Sequence, residues 1–75
     1  MDIQKITAIR DFYSRGATFD QIKRKFKIND AQAVAICIIS SNQVSSEVLL
    51  SKIDEITPGM NFNQIRLLLG LSPLG

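Results

Sequence analysis

Basic side chains are the residues of this sequence best suited to bind a ligand by charge. Seven of the nine lysines and arginines lie in residues 1–30, where the net charge is +3, against −1 for the remainder of the chain. Clustered cations of this kind bind phosphates, and each phosphate neutralised makes binding more dependent on salt. The candidate phosphate ligands are Arg15, Lys23, Arg24, Lys25 and Lys27. The simpler alternative is that the cluster is a solvated helix face.

Residues for metal binding and acid–base catalysis are scarce. The chain has one cysteine, Cys37, and no histidine, so a zinc site and a Cys–His nucleophilic pair lack their usual ligands. The carboxylates stand singly, and the adjacent Asp54 and Glu55 would point about 100° apart on a helix. We therefore expect no enzyme activity, no metal and no cofactor. Cys37 stands in the apolar run "AVAICIIS", where a free thiol is expected to be buried.

Apolar residues recur at helical spacing through the whole sequence, without sustained strand-like alternation. Capping residues precede the predicted helices: Thr18, Asn29 and Asn61 are each followed three residues later by a glutamine, the spacing of a capping box, and Ser45 or Ser46 is a candidate cap for the fourth helix. We predict a single all-α domain over residues 1–75. Its five helices are expected near 2–14, 18–26, 30–41, 46–56 and 61–69.

The third predicted helix is unusually apolar. Residues 31–39 contain a single polar side chain, that of Gln32. A helix that is apolar on all sides lies at the centre of a core or in an interface. We therefore expect this helix to be mostly buried, either by the other helices or by a second copy of the chain.

A sequence motif occurs twice, 43 positions apart, as "TFDQIKRKFKIND" and "NFNQIRLLLGLSP". Gly16 corresponds to Gly59, Ile22 to Ile65, Lys23 to Arg66, and Phe26 to Leu69. Two copies are too few for a solenoid. They indicate either a pseudo-symmetric pair of helices or, more simply, the reuse of a good helix opening.

The first copy and its continuation, "GATFDQIKRKFKINDAQAVAICI", resemble the helix-turn-helix family of small regulatory domains. Gly16 precedes the unit, Ile22, Phe26, Ile28 and Ile36 fall on the apolar positions of that family, and the second copy matches over residues 59–73. The resemblance implies that the third helix enters the major groove of DNA, where Asn29 and Gln32 would be its candidates for base contacts. Lys27 stands where the family prefers a glycine in the turn.

Two functions from different classes are open at this point. The first is a helix-turn-helix-like regulator that acts on DNA or on a transcription complex. The second is a protein–protein module, such as a phage-type inhibitor or adaptor that binds a host enzyme, for example RNA polymerase. Its candidate interface contains Ile36, Leu50 and Leu67, which lie off the main apolar stripes and could also form a homodimer face. An oligomeric structural domain is a third, plainer alternative.

The sequence also bears on the compartment. It has no long uncharged apolar run of the kind that crosses a membrane, and its beginning, "MDIQKITAIRDFY", lacks the apolar core of a signal peptide. We therefore expect a cytoplasmic protein without a membrane partner.

Overall fold

The computed structural model describes residues 1–40 and 43–74, and within them the chain forms five helices and no strand. Helix α1 spans Ile3–Ser14, α2 Phe19–Phe26, α3 Asp30–Val34, α4 Ser46–Lys52 and α5 Phe62–Leu68. Helix α3 continues directly into a π-helical segment, Ala35–Ile39, and α4 into a short 3-10 helix, Ile53–Glu55. The prediction of an all-α fold with five helices is confirmed. The predicted end of the third helix, residue 41, lies outside the described residues.

Side-chain caps explain where the helices begin. In α2 the Thr18 hydroxyl accepts from the Gln21 amide (3.2 Å), while the Gln21 side chain accepts from the Thr18 amide (2.9 Å). The same reciprocal box joins Asn29 to Gln32 and Asn61 to Gln64, and Ser45 caps α4. A cap of this kind stabilises a helix by about 1 kcal/mol. All three predicted capping boxes are therefore confirmed.

The third helix, meaning α3 together with the π-helical segment, lies at the centre of the fold. Helices α1, α2 and α5 all pack against it. Six of its apolar residues are buried: Ala31, Ala33, Ala35, Ile36, Cys37 and Ile39. The expectation of a mostly buried helix is confirmed. One side of the helix still faces solvent, because Val34 is half-buried and Ile38 is 42% exposed.

The repeated motif is also repeated in local backbone geometry. Gly16 and Gly59 both have a positive φ, of 96° and 97°, and Lys27 and Gly70 end their helices with φ of 55° and 83°. The packing is not repeated, because α2 pairs with α1 whereas α5 packs mainly on the third helix. The geometry favours the simpler of the two interpretations, the reuse of a helix opening and its turn.

The described residues contain no helix of the length and apolar character needed to cross a membrane.

Candidate interaction surfaces

The guanidinium of Arg10 is partly buried and forms hydrogen bonds within the fold. Its guanidinium donates to the Ser40 hydroxyl (2.9 Å), to the Ser46 hydroxyl (3.1 Å) and, over 3.5 Å, to the Ile36 carbonyl. Ser40 is fully buried and itself donates to the Ile36 carbonyl. Arg10 therefore joins α1, the end of the third helix and the start of α4, and its role is structural.

Two of the five residues predicted to bind phosphate form ion pairs with aspartates of this chain. Arg15 pairs with Asp11 one turn earlier, over 3.1 Å between exposed groups. Lys23 pairs with Asp20 over 3.4 Å and with Asp30 across the turn between α2 and α3. The hydrogen bond to Asp30 raises the pKa of Lys23 above its ordinary value. Lys23 therefore stays charged but is already neutralised by its neighbours.

The other three cations lie on α2 and at the residue that ends it. Lys25 places its ammonium 4.5 Å from the centre of the Phe12 ring, a cation–π contact that leaves the charge at the surface. Arg24 and Lys27 are exposed, and in the part of the chain that the structure describes neither has an ion pair. The cations available to an external anion are therefore Arg24, Lys25 and Lys27.

Asn29 and Gln32, the residues predicted to contact bases, form hydrogen bonds within the fold. The Asn29 amide group donates to the Ile56 carbonyl (3.2 Å) and that of Gln32 to the Ile53 carbonyl (3.1 Å). Their oxygens are taken by the capping box. The amide nitrogens hold α3 against the segment after α4 and the oxygens cap α3, so base contacts by these groups would compete with bonds that stabilise the fold. The expectation that Asn29 and Gln32 read bases therefore has no support in this fold.

The solvent side of the third helix has the wrong chemistry for DNA. Asp30, Val34 and Ile38 follow one another at intervals of four residues and form an exposed or half-exposed stripe along it. A carboxylate repels phosphate, and two aliphatic side chains offer no hydrogen bond to a base edge. A stripe of this composition is better suited to protein contacts.

A groove of about 520 Å³ opens between α1 and α2. Its apolar part is built from Phe12 and Phe26, whose rings meet edge to face at 6.0 Å, together with alanines. Lys25 and Arg15 supply positive charge around it, and Asp11 partly offsets that charge. The full lining is Ala8, Asp11, Phe12, Arg15, Gly16, Ala17, Gln21, Lys25 and Phe26. We call this the α1–α2 groove. It was absent from the sequence-based prediction, because its lining comes from two helices that meet only in the folded chain.

A second, smaller groove of about 190 Å³ lies between α3 and α5. Phe62, the first residue of α5, stands at its edge with 38% of its surface exposed. The other lining residues are Asp30, Ala31, Val34, Gly59, Met60 and Ile65. We call this the α3–α5 groove. It too was absent from the sequence-based prediction, because residues 30–34 and 59–65 meet only in the folded chain.

The predicted apolar interface does not form one surface. Ile36 has no exposed area, so this residue is wrong as an interface candidate: it belongs to the core. Leu50 is half-buried and packs against the core. Leu67 is 58% exposed but lines neither groove.

Among the described residues no group of three or more Cys, Asp or Glu is placed to hold a metal ion.

Comparison with known proteins adds no relative to this description. No family model matches the chain, and neither a curated protein nor a solved structure shows significant similarity to it. The helix-turn-helix likeness therefore stays a resemblance.

Proposed function

We propose that this protein is a protein-interaction module that binds an acidic, amphipathic segment of a partner in the α1–α2 groove. The observation that carries the proposal is the composition of that groove, an apolar lining of Phe12, Phe26 and Ala17 with the exposed cation Lys25 beside it. Such a site accepts an apolar side chain while a carboxylate next to that side chain meets Lys25.

The surroundings of the groove support the same chemistry. Arg24 and Lys27 extend the positive surface along α2, and residues 1–30 carry a net charge of +3. A field of this sign speeds the encounter with an acidic partner and disfavours basic ones. A partner enzyme of a host, bound by a small inhibitor or adaptor, is the setting in which we place this activity, and a cytoplasmic compartment suits it.

Sequence-specific reading of DNA is the weaker proposal. The third helix stands where the helix-turn-helix resemblance requires a recognition helix, yet it is the core of the fold, and its exposed stripe is Asp30, Val34 and Ile38. Its amides are engaged with backbone carbonyls. Nothing on this helix supplies the bidentate contacts by which bases are distinguished.

A second candidate function keeps DNA as the partner but without base readout. It is favoured by Arg24 and Lys27, which are exposed and have no ion pair in the described part of the chain. Contacts from these cations to phosphates would position a regulator on DNA, or on a transcription complex, independently of sequence. Binding would weaken steeply as salt is raised, with about one unit of slope for each phosphate contact.

The experiment is a selection of random peptides displayed on phage against the immobilised protein, followed by affinity measurements on the enriched peptides. We expect acidic residues combined with Leu or Phe at helical spacing. Lys25→Glu should weaken the binding of an enriched peptide at least tenfold. Lys52→Glu is the matched control, since it makes the same charge change on α4, away from the groove. Enriched peptides that lack acidic residues, or that bind both variants equally, would contradict the proposal.

A further inference from the structure

We infer that Lys25 is a gate of the α1–α2 groove, which favours an apolar group accompanied by a carboxylate and disfavours an apolar group that is neutral. This role rests on the function proposed above, because it concerns ligands of the same groove. It goes further by naming the residue that selects among those ligands and the chemical group by which it selects.

The ammonium of Lys25 occupies apolar surface that a ligand of the groove needs. It lies 4.5 Å from the centre of the Phe12 ring and 5.9 Å from that of Phe26, both within the distance of about 6 Å over which a ring attracts a cation. The same two rings are the large apolar side chains of the groove lining, beside Ala8 and Ala17. An apolar group that packs on Phe12 therefore displaces the ammonium.

Lys25 has no carboxylate partner that would hold it elsewhere. In the part of the chain that the structure describes it forms no ion pair. Among the described residues that line the groove, Asp11 is the one carboxylate, and it is paired with Arg15 over 3.1 Å. The contact with the rings is thus what keeps the ammonium in place, and an exposed contact of this kind is weak enough to be displaced.

Two classes of ligand meet this ammonium differently. A neutral apolar group removes the cation–π contact and replaces it with nothing, which weakens binding by about two- to fivefold, at about 1.4 kcal/mol for each factor of ten. A ligand with a carboxylate beside its apolar group gives the displaced ammonium an ion pair, which offsets the loss. Lys25 therefore selects for acidic ligands and against neutral ones, and specificity is this difference of affinities.

Phenylacetate and phenylacetamide test this role, because they have nearly the same shape and differ by one charge. Each is titrated into the wild type and into Lys25→Gln at about pH 7, where both lysine and carboxylate are ionised, and affinity is measured from the NMR shifts of Phe12 and Phe26. The wild type should bind phenylacetate more tightly than phenylacetamide. Lys25→Gln should bind phenylacetamide about two- to fivefold more tightly than the wild type does, and phenylacetate no more tightly.

Arg24→Gln is the matched control, because it removes the same charge from the neighbouring position of α2, which does not line the groove. It should leave the binding of phenylacetamide unchanged. Circular dichroism confirms that both variants are folded.

A second measurement follows the position of the ammonium itself. In the free wild type, ring currents of Phe12 and Phe26 should shift the Cε protons of Lys25 upfield, since these protons adjoin the ammonium that lies over the rings. That shift should disappear as phenylacetamide binds. A lysine that only stabilises the fold would keep it.

Three results would overturn the gate: phenylacetamide that binds Lys25→Gln no more tightly than the wild type, an equal gain in Arg24→Gln, or Cε protons that stay shifted when the ligand is bound. If neither compound shifts the signals of Phe12 and Phe26, the groove takes no apolar group there and the gate is also excluded.

The gate and the proposed function fail separately. If Lys25→Gln weakens phenylacetate without strengthening phenylacetamide, Lys25 attracts acids without gating the groove, and the proposed function stands. If both compounds behave as expected while the enriched peptides bind elsewhere on the protein, the gate stands and the proposed function fails.

Discussion

The ammonium of Lys25 lies 4.5 Å from the centre of the Phe12 ring and 5.9 Å from that of Phe26. The two rings form the apolar floor of the α1–α2 groove. One residue of α2 thus covers part of that floor and places a positive charge beside it. This pairing of ring and cation is why the groove suits an apolar side chain flanked by carboxylates.

The first prediction concerns this contact. Lys25→Gln should lower the free energy of unfolding by about 0.5–1 kcal/mol, the usual contribution of an exposed cation–π pair. Arg24→Gln, its neighbour, removes the same charge without a ring beneath it, and should change stability by about 0.5 kcal/mol or less. Urea denaturation of both variants measures the difference. Equal effects would mean that the Lys25 contact with Phe12 adds nothing to the fold.

The second prediction concerns the turns that end α2 and α5. Lys27 has a left-handed backbone conformation, φ 55° and ψ 52°, which is strained for a residue with a side chain and relaxed for glycine. Lys27→Gly should therefore stabilise the protein by up to about 1 kcal/mol. Gly70 is its counterpart 43 residues later with φ 83°, and a Cβ there meets no atom within 4 Å.

Gly70→Ala makes the reverse change at that equivalent position. It should destabilise the protein by about 1 kcal/mol from backbone strain alone. Thermal denaturation of both variants checks the pair. Opposite signs are expected, and a loss of stability in Lys27→Gly would show that the lysine side chain matters more than the strain.

The third prediction separates the core side of the third helix from its outer side. Ile36 is fully buried, so Ile36→Asp places an unpaired charge in the core and should unfold a domain of this size. Val34 is half-buried at the α3–α5 groove, so its replacement by Asp should cost less. Circular dichroism at 25 °C and a thermal melt of each variant give the comparison. If Val34→Asp unfolds and Ile36→Asp does not, the helix is oriented differently from this structure.

The fourth prediction concerns pH. Burial raises the pKa of the Cys37 thiol to about 11, from 9.0 for a free thiol, although nearby Arg10 acts in the opposite direction. Between about pH 9 and 11 the Cys37 thiol therefore stays protonated in the folded chain and loses its proton in the unfolded chain. The resulting stability is fully present below pH 9 and falls as pH rises from about 9 to about 11, by up to 1.4 kcal/mol per pH unit.

Cys37→Ala is the control for this prediction, because it removes the thiol while other groups that titrate at high pH remain. The free energy of unfolding of the wild type should fall more steeply between pH 9 and 11 than that of Cys37→Ala. Parallel curves would mean that the thiol titrates normally in the folded chain.

The helices were predictable because their signals are local. A Thr or Asn followed three residues later by Gln completes a capping box whatever the rest of the chain does, and all three boxes are present. The central position of the third helix was predictable from its composition. The π-helical segment Ala35–Ile39 was not, because an apolar run does not specify whether the backbone closes its hydrogen bonds at four residues or at five.

The surfaces were less predictable because they depend on contacts between distant residues. The sequence places Lys23 on the outer side of α2, but the turn after α2 brings Asp30 to it. In the sequence Asn29 and Gln32 look available for base contacts. In the fold their amide groups donate to the Ile56 and Ile53 carbonyls, which are more than twenty residues away in the chain. Ile36 lies off the main apolar stripe in sequence, yet the folded chain leaves none of its surface exposed.

An amide NMR titration of the labelled protein, carried out once with an enriched acidic peptide and once with generic duplex DNA, distinguishes the two kinds of partner. If the α1–α2 groove binds an acidic segment, we expect peptide-induced shifts that cluster at Phe12, Ala17, Lys25 and Phe26. With DNA we expect at most weak, salt-sensitive shifts around Arg24 and Lys27. Tighter binding to DNA than to the peptide, with shifts along the exposed side of α3 at Asp30 and Val34, would contradict the proposed function and restore the third helix as a reader of DNA.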